Sequence, residues 1–172
     1  INTPNIDRLA QEGMKFTDAH TSSAVCTPTR YGILTGRYNW RSPLKSGVLT
    51  GVSKALIPNS RTTVASLLKK ANYTTAFIGK WHLGWDWALK EGDSVGGTGW
   101  NPTDYANIDF AKPITNGPND LGFDYAYGFS GSLDMAPYVY VENGMPTMVP
   151  DSVTGSTDKY GWWREGPTAS DF

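Results

Sequence analysis

A single cysteine, Cys26, stands directly before Thr27-Pro28, and Arg30 follows four residues on. Threonine followed by proline reads as a helix cap with proline in the first turn, so Cys26 falls at a helix entrance. Unpaired backbone N–H groups and the positive end of the helix dipole meet there, which suits an anion beside a nucleophile. Arg30, about one turn into the helix, can reach back to the same place. Lys80 and His82 form a second pair, separated by one residue. In an extended segment residues two apart share a face, so both side chains would point into one cleft. A lysine there offers electrostatic stabilisation, and a histidine offers proton transfer near neutral pH. Plainer readings stay open on these residues alone: a small buried thiol at Cys26, a surface ion-pair partner at Arg30, an exposed Lys80, a hydrogen-bonded structural His82. His20 has no motif around it and reads as structural, satisfying local hydrogen bonds near a polar turn.

The elements that must position these residues follow from caps and periodicity. Thr3-Pro4 opens a helix over about residues 4–12, with Ile6, Leu9 and Ala10 on one face and Gly13 as its stop. Met14 to Thr17 reads as a short strand, and Thr21-Ser22-Ser23 as a polar loop leading to Cys26. The unit opened by Thr27-Pro28 runs through Ile33 and Leu34 to Gly36. Leu44 to Asn59 is loop-like. Ser60 then opens a helix with Val64, Leu67, Leu68 and Ala71 at i, i+3, i+4, i+7 spacing, and Asn72 suits the left-handed position after it. Tyr73 to Ile78 is a short β-rich run, with Gly79-Lys80-Trp81-His82 just beyond it at the end of a strand where α/β sheets bind ligands. Phe123 to Phe129 and Tyr138 to Val141 are further strand candidates, while residues 84–121 lack periodicity. Helix-then-strand repeated twice predicts an α/β domain with a largely parallel sheet.

Three segments resemble a known family. Ala24-Val25-Cys26-Thr27-Pro28-Thr29-Arg30, continuing Tyr31-Gly32-Ile33-Leu34-Thr35-Gly36-Arg37, resembles the sulfatase signature, with Thr29 where serine is usual. Tyr73 to Gly84, with Lys80 and His82, looks like the second sulfatase motif, with Asn72 where the family usually has glycine. Gly122 to Asp134 is similar to the arylsulfatase segment that carries a substrate-side serine, here Ser132. The resemblance implies an alkaline-phosphatase-like α/β fold, a sandwich with a mostly parallel sheet. It implies sulfuric ester hydrolysis of aryl or carbohydrate sulfates. Cys26 would be oxidised to formylglycine, whose hydrated aldehyde supplies the nucleophilic oxygen, and the cysteine-proline-arginine core is what the formylglycine-generating enzyme reads. The catalytic set is then Cys26, Arg30, Lys80 and His82, with Lys80 and Ser132 on the sulfate and Asp134 lining the pocket. Competing readings are a phosphonate or phosphodiester hydrolase with the same nucleophile, an unmodified sulfoglycan-binding relative, and a purely structural α/β domain.

Composition bounds these readings. With 39% hydrophobic and 18% charged residues and a net charge of -1, the chain is neither a disordered tail nor a nucleic-acid binder. One cysteine excludes an internal disulfide framework and a cysteine-based zinc site. No run of apolar residues is long enough for a membrane span, and no targeting segment is visible. Residues 1–172 form part of one catalytic domain, and the chain reads as cut at both ends, before its first strand and before its C-terminal half. The family's divalent cation, calcium or magnesium, would touch only the modified Cys26 within this chain, its other ligands lying outside. These residues alone are therefore expected to be inactive. Family analogy implies a periplasmic or secreted location. Trp85, Trp87 and Trp100 are candidates either for a sugar-stacking wall or for core and rim packing.

Overall fold

The computed structural model describes residues 1–95, 105–155 and 164–172. Helix α1 spans Pro4–Glu12 and stops where the Gly13 N–H reaches the Leu9 carbonyl at 3.0 Å. The Thr3 hydroxyl bonds the Asp7 carboxylate at 3.1 Å and caps no backbone N–H. Its apolar face, Ile6 and Leu9, is exposed. The strand expected over Met14 to Thr17 does not form, because a strand needs a hydrogen-bonded neighbour and no described segment pairs there.

Helix α2 spans Cys26–Thr35, entered from Val25 in extended backbone, so Cys26 is its first residue and Thr27-Pro28 lies inside the first turn. Thr27 does not cap because its hydroxyl is engaged elsewhere, donating to the His82 carbonyl at 2.9 Å and accepting the Leu49 N–H at 3.2 Å. Gly36 ends the helix in the left-handed region, as its position suggests. Helix α3, Val64–Lys70, opens at Thr63 and not at Ser60. The Thr63 hydroxyl accepts the Ser66 N–H at 3.1 Å while the Ser66 hydroxyl accepts the Thr63 N–H at 2.9 Å, a reciprocal capping box. Thr63 also donates to the buried Leu121 carbonyl at 2.6 Å, which ties α3 to the chain entering the second strand. Asn72 takes a positive φ of 62°, tolerated by its short polar side chain.

Strands β1 (Ala76–Lys80), β2 (Tyr125–Phe129), β3 (Val141–Glu142) and β4 (Met145–Pro146) form one sheet in that order. The β1–β2 pairing is parallel, from Ala76 opposite Tyr125 to Lys80 opposite Phe129, whereas β2–β3 and β3–β4 are antiparallel. The α/β class thus stands with a mixed sheet whose longest pairing is the parallel one. Strands β5 (Ser152–Thr154) and β6 (Gly166–Thr168) make a separate antiparallel pair. Lys80 is the last residue of β1, where the sequence places it just beyond, and β2 starts at Tyr125, not Phe123. Asp124 instead closes a turn on Thr75: its N–H bonds the Thr75 carbonyl at 3.0 Å, while its carboxylate accepts the Thr75 N–H at 3.0 Å and pairs with Lys69 at 2.6 Å. Of Tyr138 to Val141, only Val141 enters a strand of the sheet.

The connection between the parallel strands, residues 81–124, contains among its described residues no α-helix where a crossover helix is usual, but a 3-10 turn at Asn119–Leu121 and isolated antiparallel bridges pairing Asp86 with Thr115 and Leu89 with Ile108. It packs by aromatic burial. Trp81, Trp85, Trp87, Ile108, Tyr138 and Val139 sit at the centre of the core. Trp85 and Trp87 are 2% and 6% exposed and meet edge to face at 5.4 Å, so they are core and not a sugar-stacking wall. Trp100 lies outside the described residues. No helix among the described residues is long and apolar enough to cross a membrane.

Gly79 and Gly128 face each other across β1 and β2, and a Cβ added at Gly128 would fall on the Gly79 carbonyl oxygen. That approach involves backbone on both sides, so no side chain can yield. Gly128→Ala should lower stability by about 3 kcal/mol, read as a reduced denaturant midpoint; an unchanged midpoint would show that the strands can separate at no cost.

Candidate functional site

The site is built where the first turn of α2 meets the end of β1. Two bonds join them: Thr27 Oγ1 to the His82 carbonyl, and Arg30 Nη1 to the Lys80 carbonyl at 2.5 Å. Backbone bonds between the two segments continue past the end of the ladder, with the Trp81 N–H on the Phe129 carbonyl at 3.0 Å and the His82 N–H on the Ser130 carbonyl at 2.9 Å. Lys80, His82 and the segment after β2 are therefore locked to one another through backbone. Lys80 Nζ lies 2.6 Å from Ser132 Oγ, so the lysine and the serine singled out in sequence meet directly.

Cys26 is a free, half-buried thiol at the first position of α2. It opens with Arg30 onto a cavity of about 500 Å³ whose walls include Val25, Leu34, Phe77 and Trp81. Thr29, in the usual serine position, donates to the Ser23 carbonyl at 2.6 Å and so fixes the loop before the cysteine; the threonine keeps the hydroxyl and its bond. His20 pairs with Asp18 at 2.6 Å, both exposed, a local contact apart from the site.

His82 is fully buried and adopts a positive φ of 55°, an unusual conformation for a residue with a Cβ. Its Nε2 lies 2.7 Å from the Leu49 carbonyl. A carbonyl only accepts, so the neutral ring carries its proton on Nε2 and keeps a lone pair on Nδ1. Nδ1 is buried without a partner among the described residues. The arrangement leaves Nδ1 as the ring's unused acceptor. Burial lowers the imidazole pKa from 6.5 to about 4; the Leu49 carbonyl opposes this, the charges of Lys80 and Arg30 reinforce it, and Asp134 opposes it.

Sequence reasoning missed two contributors. Thr27 reads as a cap but is the strut between α2 and His82, and a backbone carbonyl at Leu49, in a segment without pattern, sets the histidine tautomer. Nothing in a sequence marks a carbonyl as an acceptor.

Calcium needs six to eight hard oxygen ligands. Among the described residues there is no group of three or more His, Cys, Asp or Glu side chains that could hold a metal ion. The residues present do not by themselves fit a divalent cation.

Because the unfolded imidazole binds its proton near pH 6.5 and the folded one only near 4, His82 favours folding fully above 6.5, and that contribution is lost as pH falls toward 4. Melting temperature should decline across this window, less steeply in His82→Gln, and an NMR titration of His82 should show a midpoint near 4. A midpoint at the ordinary value would contradict the buried, neutral ring.

The Sulfatase family model matches residues 1–156. The N-acetylgalactosamine-6-O-sulfatase of Bacteroides thetaiotaomicron is 40% identical over 144 residues, 84% of this chain and 25% of that protein. Human steryl-sulfatase is 40% identical over 135 residues, 76% of this chain and 20% of that protein. Among solved structures, a B. thetaiotaomicron protein of glycosaminoglycan metabolism (BT33336S-sulf) superposes with a TM-score of 0.65 at 36% identity, covering 89% of this chain and 30% of the other. Ps i-CgsB in complex with k-i-k-neocarrahexaose gives a TM-score of 0.58 at 25% identity, covering 84% and 31%. The chain spans about a quarter of the length of the first curated relative it matches. Both curated relatives are named sulfatases, and with a family model over most of its length this chain belongs to the sulfatase family.

Proposed function

We propose that the whole protein carrying this chain hydrolyses sulfate esters, with Cys26 oxidised to formylglycine by a formylglycine-generating enzyme. The observation that supports this most is the junction of α2 with β1, where the half-buried Cys26 and Arg30 share a helix turn bonded to the backbone that carries Lys80 and His82. Formylglycine, when formed, supplies the nucleophilic oxygen of its hydrated aldehyde. The remaining work falls to the chain's own groups. The first turn of α2 offers unpaired N–H groups to an anion. The Lys80 ammonium, steadied by Ser132 Oγ, stabilises negative charge on the sulfate, and the serine hydroxyl can donate to a sulfate oxygen. Arg30 holds the Lys80 carbonyl and adds positive charge beside the site. His82 Nδ1 is the acceptor for a proton leaving the hydrated aldehyde, its Nε2 proton held by Leu49.

Calcium belongs to this reading through the family, with ligands supplied beyond residues 1–172. The names of two relatives, an N-acetylgalactosamine-6-O-sulfatase and a protein crystallised with a carrageenan oligosaccharide, favour a sulfated glycan as substrate. A periplasmic or secreted location goes with it by family analogy.

The test is turnover of 4-nitrophenyl sulfate and of a sulfated N-acetylgalactosamine by the whole protein with calcium. Cys26→Ala should reduce the rate at least about a thousandfold, Lys80→Ala about a hundred- to a thousandfold, and residues 1–172 expressed alone should be inactive. Turnover that survives Cys26→Ala, or a phosphodiester cleaved faster than either sulfate, would overturn the reading.

A further inference from the structure

A second cavity, of about 380 Å³, lies alongside the one that holds Cys26, and Thr29 and Ile33 line both. Its other walls include His20, Ser22, Gly32, Arg37 and Tyr38. On the α2 side Gly32 is its floor, where an added Cβ would stand 2.6 Å from Ser22 Oγ and 3.5 Å from the Arg37 carbonyl oxygen. A glycine there lets the loop before α2 and the segment after it close on the same point.

Two donors of this cavity are left over. Ser22 Oγ and Arg37 Nε are both buried and have no hydrogen-bond partner among the described residues. A guanidinium is permanently charged and only donates, and a buried charged donor without an acceptor is unfavourable, so the cavity suits an anion. No carboxylate lines it, and Asp18, bonded to His20 at 2.6 Å, is exposed. No acidic residue stands between Asp18 and Asp86 in the chain, while Arg30, Arg37, Arg41 and Lys45 all do. At the cavity rim Tyr38 stacks on Trp40 with ring centroids 4.1 Å apart and planes 10° from parallel, yet the two residues are 57% and 59% exposed. Paired aromatic faces open to solvent beside an arginine suit the apolar face of a sugar ring that carries an oxyanion.

Resting on the sulfatase reading with a sulfated glycan as substrate, we propose that this cavity is a second subsite, in which Ser22 and Arg37 take the sulfate of a further sugar of the same glycan while its ring packs on Tyr38 and Trp40. The ten residues of α2, about 15 Å of helix, separate Cys26 from the segment that carries Arg37. One sugar ring does not span that length, but a glycan chain does. The glycan then lies along α2, with the cleaved ester at Cys26 and a second sulfate at Arg37, so the subsite selects for chains sulfated on more than one unit.

The experiment titrates the whole protein, in a Cys26→Ala background that prevents turnover, with two chondroitin tetrasaccharides that differ only in carrying one or two 6-sulfate groups. The doubly sulfated chain should bind at least about tenfold more tightly. Arg37→Gln should erase that difference while leaving the Kd of the singly sulfated chain within about twofold, and Arg37→Lys, which keeps the charge, should recover part of it. Tyr38→Ala, a change at an exposed ring, should weaken the doubly sulfated chain at least about threefold without moving the melting temperature. Equal affinity for the two chains, a difference that survives Arg37→Gln, an Arg37→Gln that weakens both chains alike, or no measurable binding of either would overturn the assignment. Turnover of 4-nitrophenyl sulfate by the protein with Cys26 intact tests the sulfatase reading separately: without it that reading falls, whatever the two Kd values are.

Discussion

The two hydrogen bonds that run from the first turn of α2 to consecutive parts of the β1 exit, Thr27 to the His82 carbonyl and Arg30 to the Lys80 carbonyl, hold the site together. One bridges 55 positions along the chain and the other 50. Each uses a side chain of the helix and a backbone acceptor of the strand exit, so both anchor the path of the chain, leaving Lys80 Nζ and His82 Nδ1 free for other partners. Thr27 is fully buried, and removing its hydroxyl would leave a buried carbonyl and the Leu49 N–H without their partner at once. The left-handed backbone at His82 is tolerable because bonds on every side determine it: its N–H on Ser130, its carbonyl on Thr27, its ring on Leu49.

The surrounding architecture serves this junction in an unequal way. Aromatic packing is concentrated in residues 81–95 and 105–141, immediately after the strand exit, where Trp81 and Leu83 are each 1% exposed. Trp81 lies between Lys80 and His82 in sequence and anchors that stretch by its burial and by its indole N–H on the Gly84 carbonyl at 2.8 Å. On the other side, Ile33, Ile78 and the apolar face of α1 are exposed. The site thus combines one wall packed to core density with another, along α2 and β1, that is open.

Much of this was legible in the sequence, for physical reasons that differ by element. Helix α1 was readable because Pro4 and Gly13 are conformationally decisive, and the end of α2 because only glycine takes the left-handed position cheaply. The α3 face was readable from spacing, but its start was not: Ser60 and Thr63 have equivalent hydroxyls, and only Ser66 three residues on and Leu121 far downstream decide for Thr63. The Met14–Thr17 strand failed because a local β-rich pattern says nothing about a partner. The candidate site residues were legible as chemistry, Cys26 with Arg30 and Lys80 with His82, and motif resemblance singled out Ser132, but the direct contact of Lys80 with Ser132 is seen only in the fold. The tautomer of His82 and the strut at Thr27 were not legible, since both depend on backbone carbonyls that every residue possesses.

The proposed function stands on Cys26 being the precursor of a nucleophile and not a packing thiol. Its most direct test is intact-peptide mass spectrometry across Cys26 on protein purified from its native host. The expected result is a peptide in which the thiol has been replaced by an aldehyde that reacts with a hydrazide probe. An unmodified cysteine in that peptide would contradict it.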